Sequence, residues 1–224
     1  MVDEKAILLS EAAAIKAKPI SKPYAFIKRA FDILFSVSAI ILLILPMVII
    51  ALIIKLQDGG PVLYRAKRLG KNGKPFFMYK FRSMEIGADE LESFLTDKQL
   101  KEYKTEYKLD DDPRLTKIGS FLRKTSIDEV PQFFNVLSGK MSLVGPRPIV
   151  IDELANYGEN KDLFLSVKPG LTGYWQAYAR NDVGYVNGKR QKMELYYVCN
   201  HSVWLEIKII FATVFRVFTG KGAK

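Results

Sequence analysis

One stretch constrains this chain more than any other. From Ile33 to Ile54 it reads ILFSVSAIILLILPMVIIALII, 22 residues without a charge. As a helix this run extends about 33 Å, enough to reach across a hydrocarbon core. Its start at position 33, with no small-residue cleavage site after it, argues against a cleaved secretion signal. Pro46 interrupts the run near its middle. Proline removes one intrahelical hydrogen bond and kinks a helix. Two paths follow: a single kinked span, or a re-entrant helix–break–helix that enters and leaves through one leaflet. Lys16, Lys18, Lys22, Lys28 and Arg29 precede the run, and Lys55, Arg65, Lys67, Arg68 and Lys71 follow it. Positive residues favour the cytoplasmic side, and here both flanks are basic, whereas a one-pass span usually shows asymmetry. Charge alone leaves both paths open.

The remainder is long enough for a catalytic domain. The chain has 224 residues, which suits one domain or one domain with an appendage. Its mean hydropathy of +0.03 averages a concentrated apolar anchor with a polar remainder. The single Cys199 excludes an intramolecular disulfide, and with the single His201 it excludes a zinc site built on Cys/His spacing. A Ser-His-Asp hydrolase would have to use that one histidine, which argues against it. Carboxylates, cations and a hard metal are the chemistry left. The formal charge of +10 implies an anionic partner: nucleic acid, lipid head group or phosphorylated metabolite.

A pass along the chain places the motifs. Residues 1–23 are Ala/Lys-rich with Pro19 and Pro23, and read as a short helix and a linker. Residues 61–65 and 75–81 read as strands, with Asn72-Gly73 between them as a hairpin signal. Residues 85–108 are helix-favouring, with Leu91, Phe94, Leu95 and Leu100 as an apolar stripe. At the C-terminus, residues 203–218 read VWLEIKIIFATVFRVF. Glu206, Lys208 and Arg216 oppose a buried span. Trp204, Phe211, Phe215 and Phe218 suit a helix lying in a membrane interface, or equally one packed on the core. There is no G-x-G-x-x-G or Walker pattern.

Four polar segments carry the candidate chemistry. Asp110-Asp111-Asp112-Pro113-Arg114 has a D-x-D spacing that can hold a hard cation against a diphosphate, and is also an ordinary acidic turn. Arg123-Lys124-Thr125-Ser126-Ile127-Asp128-Glu129 fits an S-x-x-E capping box, so a helix is predicted to start there. Asp128 and Glu129 either serve that helix end or divide the labour of nucleophile and metal ligand. In Gly145-Pro146-Arg147-Pro148 the prolines frame a guanidinium that suits a phosphate, or a structural turn. Lys168-Pro169-Gly170-Leu171-Thr172-Gly173-Tyr174-Trp175, followed by Arg180-Asn181-Asp182, suits a nucleotide or sugar pocket and equally a packed loop.

Together these residues resemble a family. The apolar run with its proline is followed in order by KFRSM (80–84), DPRLTKIGSFLRKTSIDEVPQFFNVLSGKMSLVGPRP (112–148) and KPGLTGYWQAYAR (168–180). These motifs resemble the bacterial sugar transferases, the monotopic phosphoglycosyl transferases of polyprenol-linked glycan assembly, over roughly residues 24–219. The chain looks like the small form, which consists of the catalytic domain without the multi-span N-terminal region of larger relatives.

The resemblance implies a fold and a reaction. The expected fold is α+β, mainly helical and monotopic. It comprises an N-terminal extension (1–23), a re-entrant membrane helix broken at Pro46 (24–57), a cytosolic catalytic domain with a small β-hairpin (58–202) and an interfacial amphipathic helix (203–219). The family breaks its re-entrant helix at Ser-Pro, whereas this chain has Leu45-Pro46. The expected reaction moves sugar-1-phosphate from a UDP-sugar to polyprenyl phosphate, usually undecaprenyl phosphate, and releases UMP. It runs with Mg²⁺ at the cytoplasmic face of the bacterial inner membrane, as a first step in exopolysaccharide, capsule or glycoconjugate assembly. The resemblance makes Asp128 the nucleophile that becomes a phosphosugar ester and places Glu129 at the metal. Pro146, Arg147 and Pro148 match the nucleotide and diphosphate element, and Arg123 matches the arginine five before the dyad. Lys80 and Arg180 are further candidates for phosphate charge. No nucleic-acid partner is expected, and a homo-oligomer stays open. Two competing readings are a direct glycosyltransferase using Asp110 and Asp112 and releasing UDP, and a non-catalytic membrane-anchored binder of nucleic acid or anionic lipid.

Overall fold

The computed structural model describes residues 18–107, 109, 111–179 and 183–219. Most of the expected N-terminal helix and linker, together with Asp110 and Arg180, lie outside the described residues. Among the described residues the fold is mainly helical, with two small sheets.

The apolar run lies within α1, Lys22–Asp58, a helix of 37 residues. Ser21 caps its start by accepting the Tyr24 N–H, and Pro23 in the first turn has no amide hydrogen to leave unsatisfied. Gly59 ends it in the left-handed region (φ +73°), where its N–H reaches the Lys55 carbonyl. The helix is continuous through Pro46, which corrects the expected helix–break–helix. The proline withholds one donor without ending the helix.

Both ends of α1 are docked on the same body. Near its start, the Arg29 guanidinium donates to the Val136 and Leu137 carbonyls, each at 2.7 Å. Asp32 accepts from the Ser142 hydroxyl at 3.0 Å and the Leu143 N–H at 2.9 Å. Near its end, the fully buried Ile54, with Met47, Ile50 and Ala51, packs on Phe81 and Leu122. Between these footings Ile41, Leu42 and Leu45 are 67%, 77% and 68% exposed. That apolar surface is far more than a water-facing helix normally carries.

The hairpin joins β1 (Leu63–Leu69) to β2 (Pro75–Phe81) in antiparallel register, from Leu63 opposite Phe81 to Leu69 opposite Pro75. Asn72-Gly73 does make the turn, within a one-turn 3-10 segment, with both residues at positive φ. The first strand begins and ends later than its sequence pattern predicts. The charged stretch after it splits into α2 (Leu91–Phe94) and α3 (Asp97–Glu106), because Thr96 closes a full capping box with Gln99 and starts a new helix.

Helix α4 (Lys117–Thr125) leads to α5 (Gln132–Leu137). A parallel pair, β3 (Ser142–Val144) and β4 (Gly170–Thr172), joins two of the polar segments. Its glycines are required by close backbone approach: a Cβ on Gly145 would lie 2.4 Å from the Lys168 carbonyl oxygen, and one on Gly170 would lie 2.1 Å from the Gly145 nitrogen. The Lys168–Trp175 segment is thus a packed strand and turn. Helices α6 (Lys161–Leu165), α7 (Tyr174–Ala179) and α8 (Lys189–Asn200) enclose the main core with Trp175, Met193, Tyr197 and Val198.

The last helix, α9 (Val203–Thr219), packs one face on the core and leaves an aromatic face exposed. Ile209 is fully buried in the core, while Trp204, Phe211 and Phe215 are 65%, 72% and 64% exposed. Glu206, which argued against burial, is itself buried. It is accommodated by Lys28 at 2.6 Å, the Tyr197 hydroxyl at 2.8 Å and a short hydrogen bond from Tyr24. This polar knot ties α1 to α9.

Candidate active site

Asp128 and Glu129 sit on a single 3-10 turn, Ile127–Glu129, between α4 and α5. Ser126 precedes them at φ +58°, where it also ends α4 by donating its N–H to the Arg123 carbonyl. That corrects the capping-box expectation: the Ser126 hydroxyl caps nothing here. A non-glycine residue in this conformation costs about 1 kcal/mol, and such strain collects at functional sites. The sharp turn replaces a smooth helix start and exposes two adjacent carboxylates to one neighbour.

That neighbour is Lys80 on β2. Its ammonium lies 2.9 Å from Glu129 Oε1 and 3.4 Å from Asp128 Oδ2. All three side chains are largely buried, at 21%, 17% and 6% exposed respectively. In this setting charge interactions are stronger than in water. The strand is held to α5, the helix that follows the dyad, by Asn135, fully buried six residues after Glu129. Its side-chain oxygen accepts the Tyr79 N–H at 2.9 Å and its nitrogen donates to the Phe77 carbonyl at 2.8 Å. The amide thus satisfies the outer edge of β2 as another strand would. Sequence reasoning passed over Asn135; its signal is a polar amide inside the apolar run FFNVL.

The other residues of KFRSM also have assignments. Arg82 forms a short ion pair with Asp58 and donates to the Ile54 carbonyl at 3.4 Å, so it fastens the end of α1 beside the strand that carries Lys80. Ser83 accepts from Arg123 Nε at 3.1 Å. Arg123 Nη1 lies 4.0 Å from Asp112 Oδ2, so its contacts are with Ser83 and Asp112. Arg123 remains about one third exposed, with donors available to an incoming anion.

Asp112 is committed elsewhere. Arg114 grips it with two parallel hydrogen bonds, Nε to Oδ1 at 2.8 Å and Nη2 to Oδ2 at 2.7 Å. Burial alone would raise its pKa, but these bonds, the Arg114 charge and Arg123 hold it below the usual carboxylate value. Asp112, the described carboxylate of the D-x-D pair, is therefore held in a buried ion pair rather than open to a cation. Arg147 sits between Pro146 and Pro148, after β3. Its backbone N–H donates to Glu194 at 2.8 Å and its guanidinium lies 5.9 Å from the Trp175 ring centre.

The donor set can be weighed against Mg²⁺. Among the described residues no group of three or more His, Cys, Asp or Glu side chains is placed to hold an ion. The dyad supplies two adjacent carboxylates. Mg²⁺ is usually bound in this way, through one or two carboxylates, substrate phosphates and retained water, so the residues fit the ion.

Comparison with known proteins finds relatives over most of the chain. The chain is 46% identical over 200 residues to an uncharacterized sugar transferase of Haemophilus influenzae, covering 88% of this chain and 42% of that protein. It is 45% identical over 201 residues to an undecaprenyl-phosphate galactose phosphotransferase of Salmonella typhimurium, again covering 88% and 42%. With an exopolysaccharide production protein, ExoY, of Sinorhizobium fredii it shares 41% identity over 199 residues, covering 88% of this chain and 87% of the relative. The chain therefore spans less than half the length of the first two relatives. Residues 23–220, nearly everything from the start of α1 to the end of α9, match the bacterial sugar transferase family, and the chain belongs to it.

Proposed function

We propose that this protein is a phosphoglycosyl transferase that moves sugar-1-phosphate from a UDP-sugar to polyprenyl phosphate and releases UMP. The observation that carries the reading is the dyad: a buried aspartate and its neighbouring glutamate gathered by one lysine, in a chain of this family. An Asp128 oxygen attacks the β-phosphorus, the bond from that phosphorus to the bridging oxygen breaks, and UMP departs with the electron pair. A phosphate oxygen of the polyprenyl acceptor then attacks the same phosphorus. The aspartyl bond breaks, Asp128 is regenerated and a polyprenyl diphosphate-sugar leaves. A carboxylate nucleophile attacks without a base having to remove a proton from it, so the first step needs no histidine. Lys80 orients the dyad, and Arg123 and Arg147 offset phosphate charge. Bound Mg²⁺, held by Glu129 and the donor phosphates, would neutralise diphosphate charge.

The seat of this chemistry is the cytoplasmic face of a bacterial membrane. Both ends of α1 rest on the catalytic body, at Arg29–Val136 and at Ile54–Phe81, which supports entering and leaving by one leaflet. The exposed aromatic face of α9 would lie in the same interface. A direct glycosyltransferase built on Asp112 is disfavoured by that residue's commitment to Arg114.

The test is incubation with UDP-sugar and Mg²⁺ but no lipid. A burst of UMP stoichiometric with enzyme, and a phosphosugar adduct located on Asp128 by mass spectrometry, are expected. Release of UDP, or full turnover by Asp128→Asn, overturns the reading. The Salmonella relative is named for galactose and an Escherichia coli relative, 41% identical, for glucose. A UMP-release screen over UDP-galactose, UDP-glucose and UDP-acetamido sugars with undecaprenyl phosphate assigns the donor.

A further inference from the structure

A buried charge cluster beneath Arg147 is used by none of the steps above. Pro146 and Pro148 have no amide hydrogen, so Arg147 offers the one backbone donor of that tripeptide. Glu194 Oε2 accepts it at 2.8 Å. Farther along the same segment, Glu153 Oε1 accepts the Val150 N–H at 3.1 Å. Arg190 lies between the two carboxylates, with Nη2 3.4 Å from Glu153 Oε2 and Nε 3.8 Å from Glu194 Oε1. Its guanidinium sits 4.2 Å from the Trp175 ring centre and 4.0 Å from that of Tyr185. Tyr185 also donates its hydroxyl to Glu153 at 2.8 Å. Trp175 is shared, since the Arg147 guanidinium lies 5.9 Å from it.

The arrangement is costly for stability alone. Glu194, Arg190 and Glu153 are 2%, 4% and 5% exposed. Buried ion networks are often no more stabilising than apolar side chains of the same volume. What this network supplies is geometry. Two carboxylates hold the backbone on both sides of Pro148, and one aromatic ring serves both the clamp and the guanidinium it presents. A side chain preorganised this way binds phosphate with less loss of conformational freedom.

We propose that Glu153, Arg190 and Glu194 form a clamp that aims the Arg147 guanidinium at the diphosphate of the donor nucleotide, with Glu194 as the principal positioning residue. This rests on the reading that Arg147 meets that diphosphate. The test is a double-substitution cycle on the full chain in nanodiscs, with UDP and Mg²⁺ as the probe and calorimetry as the readout. Glu194→Gln is expected to weaken UDP binding about tenfold when Arg147 is present, the scale of a hydrogen bond to a charged group. On an Arg147→Ala background the same change should weaken it less than about twofold, because the group being positioned is gone. An equal loss in both backgrounds would mean general structural damage and overturn the proposal, as would no loss with Arg147 present. If Arg147→Ala alone binds UDP as tightly as the parent, the donor-diphosphate reading fails first and the clamp falls with it. Should Glu194→Gln not fold, Arg190→Lys enters the same cycle. It keeps the charge but has neither the planar fork nor the ring stacking, and the same outcomes apply.

Discussion

At Lys80 one ammonium serves two carboxylates. It offsets half of the dyad's charge and holds both side chains toward one point. Replacement by Met removes the cation and keeps most of the volume. The expected result is a fall of about a hundredfold in the UMP burst rate, comparable with the loss of one preorganised donor elsewhere, with folding retained by circular dichroism. Glu194 gives a second residue-scale expectation. Burial is the largest influence on it, opposed by Arg190 and by the Arg147 N–H, and the balance pushes its pKa up to about 7 from 4.5. An acid whose pKa is raised by folding stabilises fully below its unfolded pKa, and the contribution fades as pH rises through the folded one. Between about pH 4.5 and 7 the parent should therefore lose thermal stability relative to Glu194→Gln, whose slope lacks this component. His201 works the other way. Burial lowers its pKa, so its own penalty grows as pH falls, and it is common to both proteins and drops out of their difference. Parallel Tm–pH curves for the two proteins would contradict the assignment.

At the scale of elements, the site depends on one seam, that between α5 and β2. Asn135 is fully buried and answers both an N–H and a carbonyl of the strand. Asn135→Leu keeps the branched side-chain skeleton and strands both groups, at a cost of about 2–4 kcal/mol on unfolding by denaturant. Lys80 should also lose its register with the dyad, so the UMP burst should slow even where the variant remains folded. A variant as stable and as active as the parent would sink this account of the seam. The seam also shows what was legible. The hairpin was readable because Asn72-Gly73 has local chemistry that makes its own turn. Asp128 and Glu129 stand out as candidates in the sequence because they lie together in a long motif, and the structure gathers both at Lys80. Lys80 lies 48 residues before Asp128, and only packing brings them together. Strands β3 and β4 have three residues each, too few for an alternating pattern, and their glycines serve backbone contact rather than a turn. Ser126 misled for a related reason. The S-x-x-E spacing matches a capping box, but the preceding helix already claims the Ser126 N–H and turns the residue to positive φ.

For the whole molecule, the proposed membrane reading has to accommodate a helix of 37 residues whose two ends both touch one domain. Straight, α1 would extend about 56 Å, beyond the thickness of a hydrocarbon core. Its first part is held by Arg29 and Asp32 to α5 and β3, and its last part by Ile54 and the Arg82–Asp58 pair to β2 and α4. If the run from Ile33 to Ile54 crossed the bilayer, one of these polar footings would have to leave the domain. It would break the Arg82–Asp58 pair and leave the buried Arg82 without that carboxylate, or strip the buried Asp32 of the Ser142 and Leu143 donors. Dipping into one leaflet keeps both footings and still covers Ile41, Leu42 and Leu45, and the aromatic face of α9 then lies at the same surface. In a Cys199→Ser background, single cysteines at Ser21 and Gln57 mark the two flanks. A membrane-impermeant maleimide should label both in inverted vesicles and neither in sealed cells. Labelling of the two positions from opposite sides would establish a spanning helix and require one of the observed footings to be released in the membrane.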